Sequence, residues 1–201
     1  MDKTQAYMQN LKMEEVPWGR LDTAYGRAGD FPEYFKTIWA MTDLSSVKSA
    51  LSEILSNIEH QSTLWHSTPF AMIFLVRIFE HAISQTTENE CADFIVEALL
   101  EFFEVIADCI NDYDGMDHDD PLPDFSDLLQ EDYLGAELCD EDDEEEEDSF
   151  ERFEESDYDV FYSFWYYSHQ ALLLCKPLLS KLENTPFQEK AEELNEMIPQ
   201  A

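Results

Sequence analysis

Six carboxylates, Glu90, Asp93, Glu97, Glu101, Glu104 and Asp108, recur at intervals of 3, 4, 4, 3 and 4. This is the repeat of an α-helix, so all six share one side, spaced every ~5 to 6 Å along a ridge about 27 Å long. Carboxylates arrayed in this way make no bonds by themselves, and their chemistry is the attraction of cations. Each like-charge neighbour pair costs an isolated helix about 0.2 to 0.5 kcal/mol, so the five pairs oppose it by roughly 1 to 2.5 kcal/mol. Asp108, near the C-terminal end, also faces the unfavourable end of the helix dipole. A face built only for solubility would be better served by interspersed lysines. The series continues through Asp112, Asp114, Asp117, Asp119 and Asp120, then through Asp140, Asp142 and Asp143 within nine consecutive acids at 140–148. We expect these residues to dock a basic partner. Regularly spaced carboxylates can also stand where phosphates would lie in a nucleic-acid-binding cleft.

Other chemistries find little footing. An EF-hand loop needs Gly at its sixth position behind acidic first, third and fifth positions. Placing Gly115 sixth makes Ile110 first, so the Asp112 to Asp120 segment fails that register. The histidines (His60, His66, His81, His118, His169) form no HExxH or comparable ligand spacing, and no nucleophile elbow or glycine-rich phosphate loop occurs. His60 and His66 are near enough in sequence to share a site, but core or helix-end roles explain them. No metal, cofactor or enzymatic activity is therefore expected. Cys91, Cys109, Cys139 and Cys175 include no CxxC pair, and three lie among apolar residues, as reduced, buried thiols do.

The chain of 201 residues carries 11 Lys and Arg against 46 Asp and Glu, a net charge of −35. Residues 88–159 hold 31 of those acids with Arg152 as their one base, a net of −30. Such a surface repels phosphates, which argues against nucleic acid and anionic membrane as partners. Yet 44% hydrophobic and 13% aromatic residues exceed what a disordered acidic tail carries, and the length suits one folded domain. The N-terminal residues lack the basic start and apolar core of a signal peptide, and no membrane-length apolar run occurs, so a cytoplasmic location is expected.

The elements that must position these residues are helices. The spacing predicts one over Phe31 to Ala40 with Asp30 as N-cap and Pro32 in its first turn, and another over Leu44 to Ile58 capped by Asp43. Thr68 and Pro69 open a helix to Ile83 that is apolar nearly all round, as a core helix is. A capping box of Thr87 and Glu90 starts the ridge helix, from about Glu88 to Ile110. The aspartate-rich, Gly- and Pro-containing stretch that follows is a loop before a weak helix near Phe125 to Leu134. A helix from about Ser156 to Leu182 should be kinked or divided by Pro177. A box of Thr185 and Gln188 starts the last one, ending near Ile198. The aromatics Phe161, Tyr162, Phe164, Trp165, Tyr166 and Tyr167 surround their helix, so most are core while Tyr166 or Tyr167 can anchor a partner. No alternating run bounded by hairpin turns appears. The fold class is all-α, with antiparallel helix pairs in a HEAT-like α-solenoid or compact helical array of about six to eight helices. One domain, 1–201, divides into a HEAT-like part (1–86), an acidic helical part (87–135), a flexible acidic loop (136–155) and C-terminal helices (156–201).

The stretch from Trp18 to Leu75 resembles a bacterial family of HEAT-repeat-like proteins. The resemblance rests on Trp18, Leu21, Thr23, Ala24, Tyr25, Gly26, Ala28, Asp30 and Pro32, then Asn57, Ile58, His60, Gln61 and Thr63, then Thr68, Ala71, Phe74 and Leu75. Ser62 and Ile73 stand where the family usually has Gly and Pro. The resemblance implies an array of paired helices without enzymatic activity, sometimes in immunity proteins that neutralise a neighbouring toxin. Read from the residues alone, Tyr25 and Gly26 suit a turn, while His60 and Gln61 suit a helix end with unpaired carbonyls. Together these readings predict a non-enzymatic immunity or inhibitor protein that blocks a cationic toxin, most plausibly a nuclease, with a homodimer allowed. The competing expectation is an acidic adaptor or chaperone-like scaffold for basic host proteins.

Overall fold

A computed structural model describes residues 3–114, 116–136, 152–153 and 156–199. The expected loop at 136–155, Cys139, and the candidate contacts Asp140, Asp142 and Asp143 fall largely or wholly outside these residues. Of the described residues 66% are helical, 3-10 turns included, with the α-helices in the order α1 (Lys3–Asn10), α2 (Phe31–Ala40), α3 (Leu44–Ile58), α4 (Thr68–Ile83), α5 (Glu90–Asp114), α6 (Val160–Leu173), α7 (Lys176–Leu179) and α8 (Gln188–Met197). The all-α class is as expected. Two minimal hairpins that alternation did not announce interrupt it: β1 (Asp22–Thr23) with β2 (Gly26–Arg27), and β3 (Glu59–His60) with β4 (Thr63–Leu64). Strands of two residues are too short for a period-2 pattern to register.

Helix α4 lies at the centre, buried from Thr68 through Val76 and again at Ile78, Phe79 and Ala82. It packs against α2, α5 and α6 together, which is why its sequence has no polar face. Helices α2 and α3 fold back on one another through a tight link in which Met41 takes a left-handed conformation (φ 47°). Asp43 caps α3 as expected, its carboxylate accepting from Ser46 N at 2.8 Å.

Several helix boundaries differ from expectation, each for a local reason. The Thr87 and Glu90 box does not form. Thr87 is left-handed (φ 73°) and donates its N–H to Asp93 Oδ1, while Asn89 Oδ1 accepts from Cys91 N at 2.9 Å and becomes the cap of α5. Asn89 Nδ2 also donates to Met41 O at 3.2 Å, tying this start to the end of α2. Asn89→Ala should accordingly lower unfolding free energy by about 1 kcal/mol, read as a shift in urea midpoint at constant slope, whereas Thr87→Ala should lack that cap loss. Thr68 sits inside α4 rather than capping it, and its hydroxyl donates to Ile58 O. The aromatic helix ends at Leu173, four residues before Pro177, because the proline ring would collide with the Leu173 carbonyl. The weak helix after the aspartate-rich loop is a 3-10 turn, Phe125–Leu129. The last helix starts at Gln188, whose side chain accepts from the N–H of left-handed Asn184.

The residues of the Trp18 to Leu75 pattern meet in a polar knot between the hairpins. Asn57 O accepts from Ala24 N and Asn57 Oδ1 from the Thr23 hydroxyl, both at 2.9 Å, while Asp22 O accepts from Ser67 N at 3.1 Å. The Ala24 N–H on Asn57 O and the Thr68 hydroxyl on Ile58 O, rather than His60 and Gln61, satisfy carbonyls at the end of α3. His60 instead faces the Tyr25 hydroxyl, 3.0 Å from Nδ1. Gly26 has φ 133°, a backbone that side chains rarely adopt. Beneath the hairpins, the Asp22 carboxylate holds Arg27 (Oδ1 to Nε, 3.3 Å) and Arg152 (Oδ2 to Nη2, 2.6 Å). The side chains of Asp22 and Arg152 are only 11% and 7% exposed.

Candidate partner-binding surface

Helix α5 presents two unlike faces. Ile95, Leu99, Phe103, Ile106 and Ile110 are buried, and this fixed side aims the opposite one. On that side Glu90, Glu97, Glu101 and Asp108 are exposed, and Asp112 is exposed at the end of the helix. Asp93 is half-buried and accepts from Thr87 N, so it serves the start of the helix. Asp114 is the last residue of α5, and Asp117, Asp119 and Asp120 are exposed on the loop beyond it.

Helix α8 lies beside the ridge and runs parallel to α5, an exception to the expected antiparallel pairing. Lys190 bridges Glu97 (3.2 Å) and Glu101 (2.5 Å), and Asn111 reaches Met197 O. The Lys190 ammonium is held above the ordinary lysine range, first by the hydrogen bond it donates to Glu101. One turn further, Glu104 faces Glu193. Its Oε1 is buried without a partner among the described residues. Burial first, and then Glu193, raise its pKa above the usual carboxylate range. Glu104 is thus a poor docking carboxylate, while α8 adds exposed Glu189, Glu193 and Glu196 to the acidic surface. Their spacing of 4 and 3 is a legible signal, masked by the near-neutral composition of that flank.

The two tyrosine candidates separate. Tyr166 is 36% exposed, but Tyr167 is 1% exposed and donates its hydroxyl to Leu122 O at 2.6 Å, so Tyr167 is a core residue and not a partner anchor. His66 is wholly buried among Phe70, Phe153 and Phe164, with Nε2 at 2.8 Å from Leu128 O. His60 stands apart at Tyr25, so the two histidines form no shared site. Among the described residues no group of three or more His, Cys, Asp or Glu is placed to hold a metal ion. Cys91, Cys109 and Cys175 are buried and free, and burial raises all three thiol pKa values, that of Cys109 to about 12. Such thiols are poor nucleophiles. No described helix is long and apolar enough to cross a membrane.

Comparison with protein-family models, with curated proteins and with solved structures gives no match.

Proposed function

We propose that this chain is a non-enzymatic immunity or inhibitor protein whose acidic surface docks and blocks a cationic protein toxin in the cytoplasm, with a nuclease the leading target. The observation that carries this reading is the exposure of Glu97, Glu101, Asp108 and Asp112 along one side of a helix whose other side is locked in the core. These carboxylates span about 22 Å. They are held in place before any partner arrives, so little ordering cost opposes association. Their field would speed encounter with a basic surface and weaken as salt is added. The resemblance of the N-terminal stretch to immunity-like helical proteins supports the same reading.

The test is reversal of Glu101 and Asp108 to Lys. Each introduced lysine follows a glutamate by four residues, Glu97 in one case and Glu104 in the other, a favourable order on a helix, and the Lys190 bridge lost at Glu101 is solvent-exposed and worth at most about 1 kcal/mol, so α5 should survive the change. With the partner captured from the native host, the double variant should bind at least about tenfold more weakly and lose much of its salt dependence. A single tight, stoichiometric basic partner supports inhibition. Loose capture of several basic proteins instead supports an adaptor or chaperone role, and unchanged affinity removes the ridge from the mechanism.

A further inference from the structure

The loop after α5 is laid against the first turns of α6. Asp159 N donates to Asp120 O (3.0 Å), Leu122 N to Ser163 Oγ (2.9 Å) and the Tyr167 hydroxyl to Leu122 O. This brings four rings from three segments into near-parallel order. Tyr113 stacks on Trp165 at 4.4 Å and lies 5.7 Å from Tyr162 at an interplanar angle of 12°, and His118 stacks on Tyr162 at 3.4 Å. Tyr166 stands 6.2 Å from Tyr162 and is exposed, as is Met116 at 59%. Tyr113, His118 and Tyr162 are each half-buried, so the stack reaches solvent. At its foot, the Trp165 indole N–H is buried with no acceptor among the described residues.

Carboxylates flank the ring-bearing residues along both segments. Asp112, Asp117, Asp119, Asp120 and Asp157 are exposed, and the charge of Asp159, after burial, raises the pKa of Tyr113. Neither 111–124 nor 156–169 contains a Lys or Arg. Electron-rich ring faces flanked by carboxylates attract a cation twice over, through the ring quadrupole and through charge. A planar guanidinium suits such a surface better than an ammonium, because it can stack on a ring while its N–H fork reaches carboxylates.

We propose that the exposed ring of Tyr166 and the solvent-facing side of the Tyr113, His118 and Tyr162 stack beside it, in a loop and helix start rich in aspartates (Asp117, Asp119 and Asp120), form the anchor that receives an arginine side chain of the basic partner. This rests on the cationic-partner reading and adds to it a chemical preference that an acidic ridge alone does not have. The ridge attracts any cation at long range; the stack selects arginine at contact.

Amidated hexa-arginine and hexa-lysine peptides, titrated calorimetrically into the full chain at low and high salt, test it. The intact chain should bind hexa-arginine about tenfold more tightly than hexa-lysine. Tyr166→Leu, at an exposed position that leaves the core intact, and Tyr162→Leu should erase that preference without changing hexa-lysine binding. Glu101→Lys with Asp108→Lys should weaken both peptides alike and keep the preference. Equal binding of the two peptides by the intact chain, or a preference retained in both tyrosine variants, overturns the arginine anchor while leaving the ridge in place. Binding of neither peptide at low salt overturns the anchor and the cationic-partner reading together.

Discussion

Asp22→Ala should destabilise the protein by about 3 to 5 kcal/mol, enough to unfold a large fraction of molecules in a domain of ordinary stability. The carboxylate stands between two guanidiniums, with Arg152 the more deeply placed. Removing it breaks an ion pair whose two side chains are only 7% and 11% exposed, in a region from which water is largely excluded, so solvent does little to offset the change. Urea unfolding followed by circular dichroism measures it directly. The exposed pair of Glu33 and Lys36, with side chains 75% and 69% exposed, provides the contrast. Glu33→Ala should cost no more than about 1 kcal/mol, because solvent screens both charges before and after. A loss below about 1 kcal/mol for Asp22→Ala would mean that water reaches the guanidiniums freely.

The second large effect is a loss of stability in mild acid traceable to one imidazole. His66 is walled in by Phe70, Phe153 and Phe164, its Nδ1 has no partner among the described residues, and Arg152 and Arg27 oppose any added positive charge. Burial first, then those two guanidiniums, hold its pKa down to about 4, against 6.5 for a free imidazole, although the bond to Leu128 O pulls the other way. Above pH 6.5 both folded and unfolded chains carry it neutral, so it has no effect on the balance. As pH falls from 6.5 towards 4, only the unfolded chain takes the proton and stability declines. The decline levels off below about pH 4 after a loss of about 3 kcal/mol. Glu104, whose pKa is raised, works in the opposite direction, so the comparison must be with a variant. His66→Gln retains a donor for Leu128 O and cannot titrate. Between about pH 7.5 and pH 5 the parent should lose about 2 kcal/mol more than this variant. Equal losses would show that His66 is protonated inside the folded protein or is hydrated there.

How far the sequence reveals this architecture depends on how local each cause is. The Asp43 cap, the nearly all-apolar circumference of α4 and a break in the aromatic helix near Pro177 are written within a few residues, and all three are legible. The start of α5 is not, because Thr87 and Asn89 are both good caps and the choice is made by Met41, 48 residues away, which Asn89 also binds. The pairing of Asp22 with Arg152 spans 130 residues and leaves no local trace. Tyr166 and Tyr167 are adjacent members of a helix aromatic on every side, so composition cannot say which faces in; the Leu122 carbonyl decides it for Tyr167. The ridge itself is legible as a period, but the helix that lies along it is not. Glu104 therefore reads as a fully exposed carboxylate when it is half-buried beside α8, and Glu189, Glu193 and Glu196 escape notice until α8 is laid beside α5.

Lys190 shows on the protein's own surface what a visiting cation meets. One ammonium there spans two carboxylates a single helical turn apart, and the next exposed pair so spaced on the helix is Asp108 with Asp112, about 16 Å further along. On the docking reading proposed above, a partner engaging both pairs at once carries its positive groups on that spacing, as residues three turns apart on one helix face do. The resident lysine already fills the receptor formed by Glu97 and Glu101, so a newcomer must evict it or settle further along, near Asp108 and Asp112. Under that proposal the acidic helix is a ruler with one graduation already taken, which would discriminate among basic surfaces by the spacing of their charges as well as by their number.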